Sequence, residues 1–413
     1  MYPDSYRYAR SAEQYLGKSA EEAHSIALRA YCQSRADAEL VKVRLAPLHE
    51  GRAHQPGPGA CLQRWSAAGD LTTTDARFQS IFSTRPGYPL LASPFVGVWG
   101  VADGMRALGV ILTLTASLCV YGLLRSAGVG ARWSAAGQVT LLVSPLGRWS
   151  LQALGEGLVA VCVLAALWGG VLVTREEADS SRRWRGAVLI VAALAALAVT
   201  RYSTALVFAA ATASVFLLFY CLRRTKSAFL MASLTGGCAV TITLAMHALD
   251  LPSSQVTLQD TFTRHFLAPE VSDPWHRLVQ LNLHYWHDRL SREAAQPLFL
   301  VLAAAAFWAL FRRVPALALM AAAAALTGIS QVVVHPLVSE ADRLGVLMWV
   351  PAILGVPLLL ACGCTTPEPS GGRIHDVRQP NAGRTETANA DGPSTCRTEP
   401  HAGMPPDLTT GPR

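Results

Sequence analysis

The feature that most constrains this fold is a series of long apolar segments, nearly free of charged residues, between residues 104 and 362. A transmembrane helix needs about 20 consecutive apolar residues to cross the hydrocarbon core of a bilayer. The whole chain is only 15% charged, whereas an average soluble domain has about 25% charged residues. The pattern therefore predicts an all-α protein, built as a polytopic bundle of transmembrane helices.

The apolar segments predict about nine spans. They cover 104–124, 134–146, 153–174, 187–200, 203–221, 228–249, 296–311, 314–334 and 344–362. Two of them, 134–146 and 187–200, are shorter than a bilayer requires. This leaves open whether they are tilted, re-entrant or parts of a broken helix.

Changes in composition divide the chain into five predicted regions. These are an outer-face loop region with short helices at 1–103, an N-terminal transmembrane bundle at 104–249, a long outer loop with interfacial helices at 250–295, C-terminal transmembrane helices at 296–364, and a disordered cytoplasmic tail at 365–413. The opening stretch MYPDSYRYAR is interpreted as a loop. Prolines at 86, 89 and 94 are expected to prevent a regular helix at 83–95. The tail has few large apolar residues with which to fold.

Short loops rich in arginine predict the orientation, because such loops stay on the cytoplasmic side. The basic residues concerned are Arg125 and Arg132, Arg175 with Arg182, Arg183 and Arg185, Arg223 with Arg224 and Lys226, and Arg312 with Arg313. Alternation of the spans places all four loops on one face, so 1–103 and 250–295 lie on the outer face. The net charge of +7 comes largely from these topology signals, and we expect no nucleic-acid partner.

Two further expectations follow from this orientation. A polar region as long as 1–103 needs a signal or a preceding helix for export, so we expect one more span encoded upstream of Met1. Reading the genomic sequence there tests this. Basic residues are almost all arginine and the helices are rich in alanine, a usage typical of a bacterial genome rich in G and C. The predicted location is the bacterial cytoplasmic membrane.

Cysteines and histidines suggest little specific chemistry. Cys32 and Cys61 could pair if both lie outside the cell, but the sequence alone does not fix this pairing. The histidines of the long outer loop lack the close spacing of metal ligands. No cofactor is indicated with certainty, and the sequence leaves open whether a divalent metal ion takes part.

Ionisable residues on the predicted outer face are the candidates for function. They include Asp4, Arg85, Glu156, Arg201 and Arg343. Structural explanations also exist, since Asp4 can be a solvated or capping residue and Arg201 or Arg343 can reach lipid head groups. Glu156 is harder to explain in that way, because a carboxylate near the membrane costs about 2–3 kcal/mol unless it is paired or hydrated.

Together these residue types suit a transfer reaction on a lipid-linked sugar. A phosphate leaving group at the membrane surface needs a cation, and arginine is planar and always charged. An acceptor hydroxyl needs a base to take its proton, and an aspartate can serve. Aromatic rings suit the apolar faces of sugars. An acidic residue and several arginines on one face of a membrane bundle would meet these needs.

Two motifs resemble the GT-C superfamily, which contains polytopic glycosyltransferases that use polyprenyl-phosphate-linked sugars. The segment Pro3-Asp4-Ser5-Tyr6-Arg7-Tyr8-Ala9 is similar to the loop that bears the catalytic aspartate, although Ser5 stands where a second acidic residue is usual. The segment Arg85-Pro-Gly-Tyr-Pro-Leu-Leu91 is similar to one found in bacterial mannosyltransferase-like members.

The resemblance implies roles for individual residues. Asp4 and Glu156 would be catalytic, with Asp4 as general base. The residues that would bind substrate are Arg85, Tyr88, Arg201, Tyr202 and Arg343. The implied partners are membrane lipids and a polyprenyl-phosphate-linked sugar, and neither the sugar nor the acceptor is identified.

Two alternatives remain open from sequence. One is a non-catalytic polytopic membrane protein, or a relative that has lost activity. The other is a transporter or lipid flippase, which should place ionisable residues near the middle of the bilayer. His247 and Glu156 come nearest to that position, and both lie close to the predicted ends of spans.

Overall fold

The fold is all-α, as predicted. The computed structural model describes residues 1–45, 57–71, 75–175 and 179–363, and within these ranges the chain forms helices and no strand. The predicted tail at 365–413 lies outside the described residues.

Four helices form the N-terminal region: α1 Pro3–Tyr15, α2 Ala20–Leu45, α3 Pro58–Trp65 and α4 Ala76–Ser83. The interpretation of the opening stretch as a loop is wrong, because α1 begins at its third residue. Proline is favourable in the first helical turn, where its missing N–H is not needed. The Tyr2 backbone N–H is satisfied by Ser5 Oγ at 3.1 Å, which supports the start of the helix.

A disulfide joins Cys32 to Cys61, with their Cα atoms 5.7 Å apart. It links α2 to α3 and so stabilises the N-terminal region. Disulfides persist mainly in oxidising compartments, which agrees with the outer-face position expected for this region.

The rest of the described chain is a helical bundle with short connecting helices. Its helices are α5 Gly87–Ser126, α6 Ala131–Val143, α7 Pro145–Ser150, α8 Glu156–Thr174, α9 Ser180–Arg223, α10 Lys226–Ala248, α11 Ser254–Phe262, α12 Pro274–Ala294, α13 Pro297–Arg313, α14 Pro315–Val334, α15 Val338–Leu344, a 3-10 helix Gly345–Trp349, and α16 Val350–Gly363.

Six helical segments of the described chain are long and apolar enough to cross a membrane. They are α5, α8, α9, α10, α14 and the continuous segment Val338–Ala361, and a seventh is added if α12 and α13, which are bent by 92°, count as one broken span. The chain is therefore an integral membrane protein with a polytopic bundle.

The number of spans is lower than the nine segments predicted, for three reasons. Predicted segments 187–200 and 203–221 form the two halves of α9, a 44-residue helix with a break at Arg201, and the whole helix Ser180–Arg223 is one of the six segments. Segment 134–146 corresponds to α6, which has only 13 residues. Segment 296–311 corresponds to α13, which has 17 residues and is long enough to cross a membrane only together with α12.

The proline-rich segment before the bundle is helical, contrary to our expectation. Helix α5 begins at Gly87, directly after Pro86, so Pro89 lies in the first turn and Pro94 is tolerated further along. The helix leaves regular geometry at Gly100 instead, where φ is 76°. That conformation is easily adopted by a residue without a side chain. Arg85 therefore stands just before a helix rather than within an irregular segment.

A second break divides α9 at Arg201, where φ is −152° and ψ is 86°. The two helical halves at 180–200 and 202–223 match two predicted segments, so the sequence located this interruption. The break places a charged residue at the junction of two apolar helices.

The C-terminal ends of α5 and α8 are joined by a hydrogen bond. Arg175, directly after α8, donates to the carbonyl of Ser126, the last residue of α5, at 2.8 Å.

Two hydrophobic cores hold this arrangement together. The larger lies among α5, α6, α8, α9, α14 and α16, with fully buried side chains such as Leu123, Leu164 and Leu354. The smaller packs α1 and α2 against α5, and Tyr6 and Tyr88 are central to it. The smaller core therefore fixes the position of α1, and with it Asp4, relative to the bundle.

Candidate functional site

Charged residues from distant parts of the chain meet in one place. Arg343 Nη1 lies 2.6 Å from Asp4 Oδ2, and Arg343 Nε lies 3.5 Å from Glu156 Oε1. Glu156 Oε1 is also 2.6 Å from Arg201 Nη2. These four residues, together with Arg85, are called the charge cluster below. Its members come from α1, the α4–α5 connection, α8, α9 and α15.

Local structure places both carboxylates at helix N-termini. Asp4 lies in the first turn of α1, and Glu156 lies in the first turn of α8. The N-terminus of a helix carries a partial positive charge that stabilises a negative side chain. Glu156 is 1% exposed, so it depends on this dipole and on its arginine partners. Asp4 keeps a side-chain exposure of 22% and is the more accessible carboxylate.

The two paired arginines are held by irregular or short elements. Arg201 occupies the break in α9, where the side chain leaves the junction of two helical halves and reaches Glu156. Arg343 lies in the seven-residue helix α15, and Glu340 one turn earlier binds its Nη2 at 2.8 Å. Arg343 therefore contacts three carboxylates at once, and Asp4 and Glu156 are bridged by one guanidinium.

Arg85 is the positive group without a carboxylate of its own. It forms none of the ion pairs found among the described residues. Its electrostatic neighbours are Tyr8, Arg201, Tyr202 and, with the smallest effect, Asp4. Within the charge cluster, three guanidinium groups face two carboxylates. A buried positive excess of this kind is costly unless an anion compensates it.

Further charges flank the cluster. Arg7 and Arg10 both pair with Asp70, at 3.5 and 3.3 Å, and Glu340 pairs with Arg343. Asp260 is a further carboxylate, and it lies close enough to affect His335 together with Arg85 and Arg343. The positive excess is therefore a property of the five residues of the charge cluster.

Several polar atoms of the site are buried without a hydrogen-bond partner in the described part of the chain. They are Arg85 Nε, Arg201 Nε, Glu156 Oε2 and the Tyr88 hydroxyl. Buried polar groups in native proteins nearly always have partners. Their concentration at one place indicates a position where water or a polar ligand completes the hydrogen bonding.

Tyrosines line one side of the cluster. The rings of Tyr8 and Tyr88 are 5.0 Å apart. A β-carbon on Gly155 would lie 3.7 Å from the Tyr8 hydroxyl and 3.9 Å from Arg201 Nε, so both groups surround the glycine before α8. The Tyr202 hydroxyl instead donates to the Pro252 carbonyl at 3.1 Å, which anchors the connection to α11.

The environment shifts the pKa values of groups outside the membrane-spanning helices. Burial tends to raise the pKa of Asp4, but the charge and hydrogen bond of Arg343, with smaller effects of Arg7 and Arg201, bring it below its usual value. Burial lowers the pKa of Arg85, and the nearby Arg201 charge adds to this. Burial raises the pKa of the Tyr8 phenol, which therefore keeps its proton and can donate a hydrogen bond.

The described residues do not resemble a metal site. No group of three or more His, Cys, Asp or Glu side chains within them is placed to hold a metal ion. Both carboxylates of the cluster are also bound to guanidinium groups. A divalent cation would have to compete with these arginines, and we assign no residue to one.

All seven residues proposed from sequence are located, and they differ in their contacts. Asp4, Glu156, Arg201 and Arg343 are joined by ion pairs. Arg85 and Tyr88 border them with unsatisfied atoms. Tyr202 donates to the Pro252 carbonyl and is also an electrostatic neighbour of Arg85.

The sequence analysis missed Arg7 and Asp70. Arg7 Nη1 lies 3.6 Å from Asp4 Oδ1, and its guanidinium stacks over Phe82 at 4.3 Å. The spacing of Asp4 and Arg7 could have indicated their pairing, because residues three apart lie on the same face once α1 is recognised as a helix. Asp70 gave no such signal, because its arginine partners, Arg7 and Arg10, lie far away in the sequence on α1.

Comparison with known proteins adds no identification: no protein-family model, no curated protein and no solved structure matches the chain. The resemblance to the GT-C superfamily rests on the two sequence motifs and stays a prediction. The catalytic roles of Asp4 and Glu156, and the substrate-binding roles of the other five residues, also stay predictions.

Proposed function

We propose that this integral membrane protein is a glycosyltransferase that moves a sugar from a polyprenyl-phosphate donor to an acceptor hydroxyl. The proposed location is the outer face of the bacterial cytoplasmic membrane. The observation that carries the proposal is the positive excess of the charge cluster, with Arg85 unpaired beside the partly exposed Asp4. A cation without a counter-ion next to a carboxylate suits an anionic leaving group and the base that its reaction needs.

The proposed reaction is a single displacement at the anomeric carbon of the donor. The acceptor oxygen forms a bond to that carbon, and the bond from the carbon to the phosphate oxygen breaks. The acceptor hydroxyl gives its proton to Asp4. The lipid phosphate leaves with the bonding electrons, and Arg85 and Arg343 stabilise its negative charge.

Arg343 links donor binding to the basicity of Asp4. In the described structure its Nη1 atom binds Asp4 at 2.6 Å, which lowers the pKa of Asp4 and makes it a weak base. A phosphate group would compete for the same guanidinium. When Arg343 turns to the phosphate, Asp4 loses a positive partner, its pKa rises, and it becomes a better proton acceptor.

Glu156 acts in this proposal as a positioning residue. It is 1% exposed and binds both Arg201 and Arg343, so an acceptor cannot readily reach it. The carboxylate fixes the two guanidinium groups before the donor arrives, which reduces the reorganisation needed during the reaction.

Turnover by full-length protein in nanodiscs tests the proposed reaction. A set of labelled polyprenyl-phosphate hexoses and pentoses is supplied with membrane-derived acceptors. Asp4→Asn should lower the rate by about 10²–10⁴-fold, the range expected when a general base is lost. Asp103→Asn, which changes an exposed carboxylate paired with Arg106, is the control and should keep the rate. Equal turnover in both variants would remove Asp4 from the mechanism.

Donor binding tests the phosphate site separately from turnover. Arg85→Gln removes the unpaired cation and should weaken binding of polyprenyl phosphate about tenfold or more. The control is Arg277→Gln, which changes an exposed arginine paired with Asp273. If wild-type protein binds none of the lipid phosphates and turns over none of the donors, the proposed function is wrong.

A further inference from the structure

A cavity with aromatic walls lies next to the charge cluster, and none of its lining residues was assigned a role in the reaction described above. Its volume is about 360 Å³. Its lining includes Trp149, Tyr285, Trp286 and Trp349, together with Arg289 and Asp342. This set is called the aromatic cleft below. It brings together side chains from α7, α12, α15 and the 3-10 helix.

The rings of the aromatic cleft are held in place by neighbours. Tyr285 and Trp286 meet edge to face at an interplanar angle of 87°, and the Trp286 indole N–H donates to Asn282 Oδ1 at 3.2 Å. Trp349 contacts Phe299 with ring centroids 4.9 Å apart. Trp149, Trp286 and Trp349 are each half-buried. Rings fixed in this way lose little freedom when a ligand packs on their faces.

The polar groups of the cleft are balanced in charge, unlike those of the charge cluster. Arg289 pairs with Asp342 at 3.1 Å and with Glu293 at 3.0 Å. Arg148, which also lines the cavity, supplies the second positive charge. The lining holds these two guanidinium groups and the Asp342 carboxylate, and Glu293, which pairs with Arg289 from outside the lining, supplies the second carboxylate. Balanced donors and acceptors between aromatic walls favour a neutral ligand with many hydroxyl groups over an anion.

The aromatic cleft touches the charge cluster from two sides. Asp342 in the cleft directly precedes Arg343 of the cluster. On the other side, Tyr2 packs against Trp149 with ring centroids 5.7 Å apart, and Tyr2 lies just before the turn that carries Asp4. A ligand in the cleft would therefore lie near the ion pair between Asp4 and Arg343.

We infer that the aromatic cleft binds a neutral saccharide through its aromatic walls and the Arg289–Asp342 pair. This rests on the proposed function for one further step: the bound saccharide is the acceptor, with one hydroxyl directed toward Asp4. Tryptophan and tyrosine also occur as belts at membrane interfaces. A belt places its rings toward lipid, whereas here four rings from three helical elements line one cavity.

Saturation-transfer NMR tests the binding directly, with full-length protein in nanodiscs and a panel of methyl glycosides and disaccharides of common hexoses and pentoses. Wild-type protein should bind at least one member at millimolar concentration or below. Trp286→Leu should weaken that binding about tenfold. Trp184→Leu changes an exposed tryptophan at the start of α9, with 70% exposure, and should leave binding unchanged.

A second variant tests the inference independently, in case Trp286→Leu does not fold. Asp342→Asn changes a side chain that is 70% exposed, so the protein should still fold. The substitution removes the negative charge and replaces one carboxylate oxygen, which could accept a hydrogen bond from a sugar hydroxyl, by an NH2 group. Saccharide binding should therefore weaken. Binding of no panel member by wild-type protein overturns the inference. Binding that neither Trp286→Leu nor Asp342→Asn weakens overturns it as well.

The same experiment separates this inference from the proposed function. Arg85→Gln should reduce binding of polyprenyl phosphate but leave saccharide binding intact, because Arg85 does not line the cleft. If saccharides bind in the cleft and no lipid phosphate binds, the inference holds and the proposed function fails. If lipid phosphate binds and turnover persists in the cleft variants with unchanged KM for the acceptor, the function holds and the acceptor step fails.

Discussion

The charge cluster and the aromatic cleft are neighbours in the fold, but their charged side chains differ in exposure to solvent. Arg343 and Asp342 are adjacent in α15, yet the Arg343 side chain is 12% exposed and the Asp342 side chain is 70% exposed. The cluster buries charges that need partners. The charged side chains of the cleft are more exposed, at 36% for Arg289 and 70% for Asp342, and aromatic rings line the space beside them.

This difference separates the energetic roles of the two regions. A buried charge whose partner is removed loses the interaction that offset its desolvation, so cluster residues should matter for folding as well as for chemistry. Charged pairs exposed to solvent contribute little to stability, so polar residues of the cleft can be altered with little effect on the fold. Four predictions test this contrast, from the largest expected effect to the smallest.

Replacing Glu156 should have the largest effect. Glu156→Gln leaves Arg201 and Arg343 without their shared carboxylate, and we expect the free energy of unfolding to fall by about 3–5 kcal/mol. Chemical unfolding in detergent, followed by tryptophan fluorescence, measures it. Glu39→Gln changes an exposed carboxylate paired with Lys42 and should leave stability unchanged. Equal stability of the two variants would show that the cluster does not hold the bundle together.

Packing around the cluster should be the next most sensitive feature. A β-carbon on Gly87 would lie 2.7 Å from Thr200 Oγ1 and 3.1 Å from the Thr200 backbone, beside the break at Arg201. Gly87→Ala should therefore destabilise the protein by about 1–3 kcal/mol through overpacking.

The matched control for this variant is Gly237→Ala in α10, because a β-carbon there has no neighbour within 4 Å. Alanine favours helix over glycine, so this variant should keep or slightly raise the melting temperature. The same melting temperature for Gly87→Ala as for wild type would mean that α5 can shift freely away from α9.

Acid should weaken the charge cluster through Asp4. The folded-state pKa of Asp4 lies below its usual value, because Arg343 outweighs the effect of burial. A lowered folded-state pKa stabilises the fold at pH values above the unfolded-state pKa, which is about 3.9 for aspartate. This stabilisation is lost as pH falls from there through the folded-state pKa.

Melting temperatures measured from pH 6 down to the acid limit of folding test this prediction. Asp4→Asn should remove part of the decline seen in wild type, whereas Asp103→Asn should not. Identical pH profiles for wild type and Asp4→Asn would show that the ion pair with Arg343 does not form in the membrane.

The smallest effect is expected in the cleft. Arg289→Gln breaks pairs with Asp342 and Glu293 whose side chains are 70% and 27% exposed. The expected loss of unfolding free energy is less than about 1 kcal/mol. Unfolding measured beside Glu156→Gln gives the comparison. A loss as large as that of Glu156→Gln would remove the distinction between the two regions.

Sequence reasoning predicted the apolar segments and the interruption near Arg201, because hydropathy and charge are local properties of the chain. It was wrong about the opening stretch, where Pro3 was not recognised as the start of a helix. It was also wrong about Pro89 and Pro94, which α5 accommodates. These errors share a cause: proline was interpreted as a helix breaker without regard to its position in the helix.

The sequence by itself determined that this chain is an all-α membrane protein, since apolar segments of this length leave the backbone no other way to satisfy its hydrogen bonds in lipid. Only the tertiary structure decided that Asp4 meets Arg343, which is 339 residues away, and that Arg85 forms no ion pair with any residue in the described ranges. The physical reason is that ion pairs depend on distance in space. Distances between α1, α8 and α15 are set by the packing of the whole bundle.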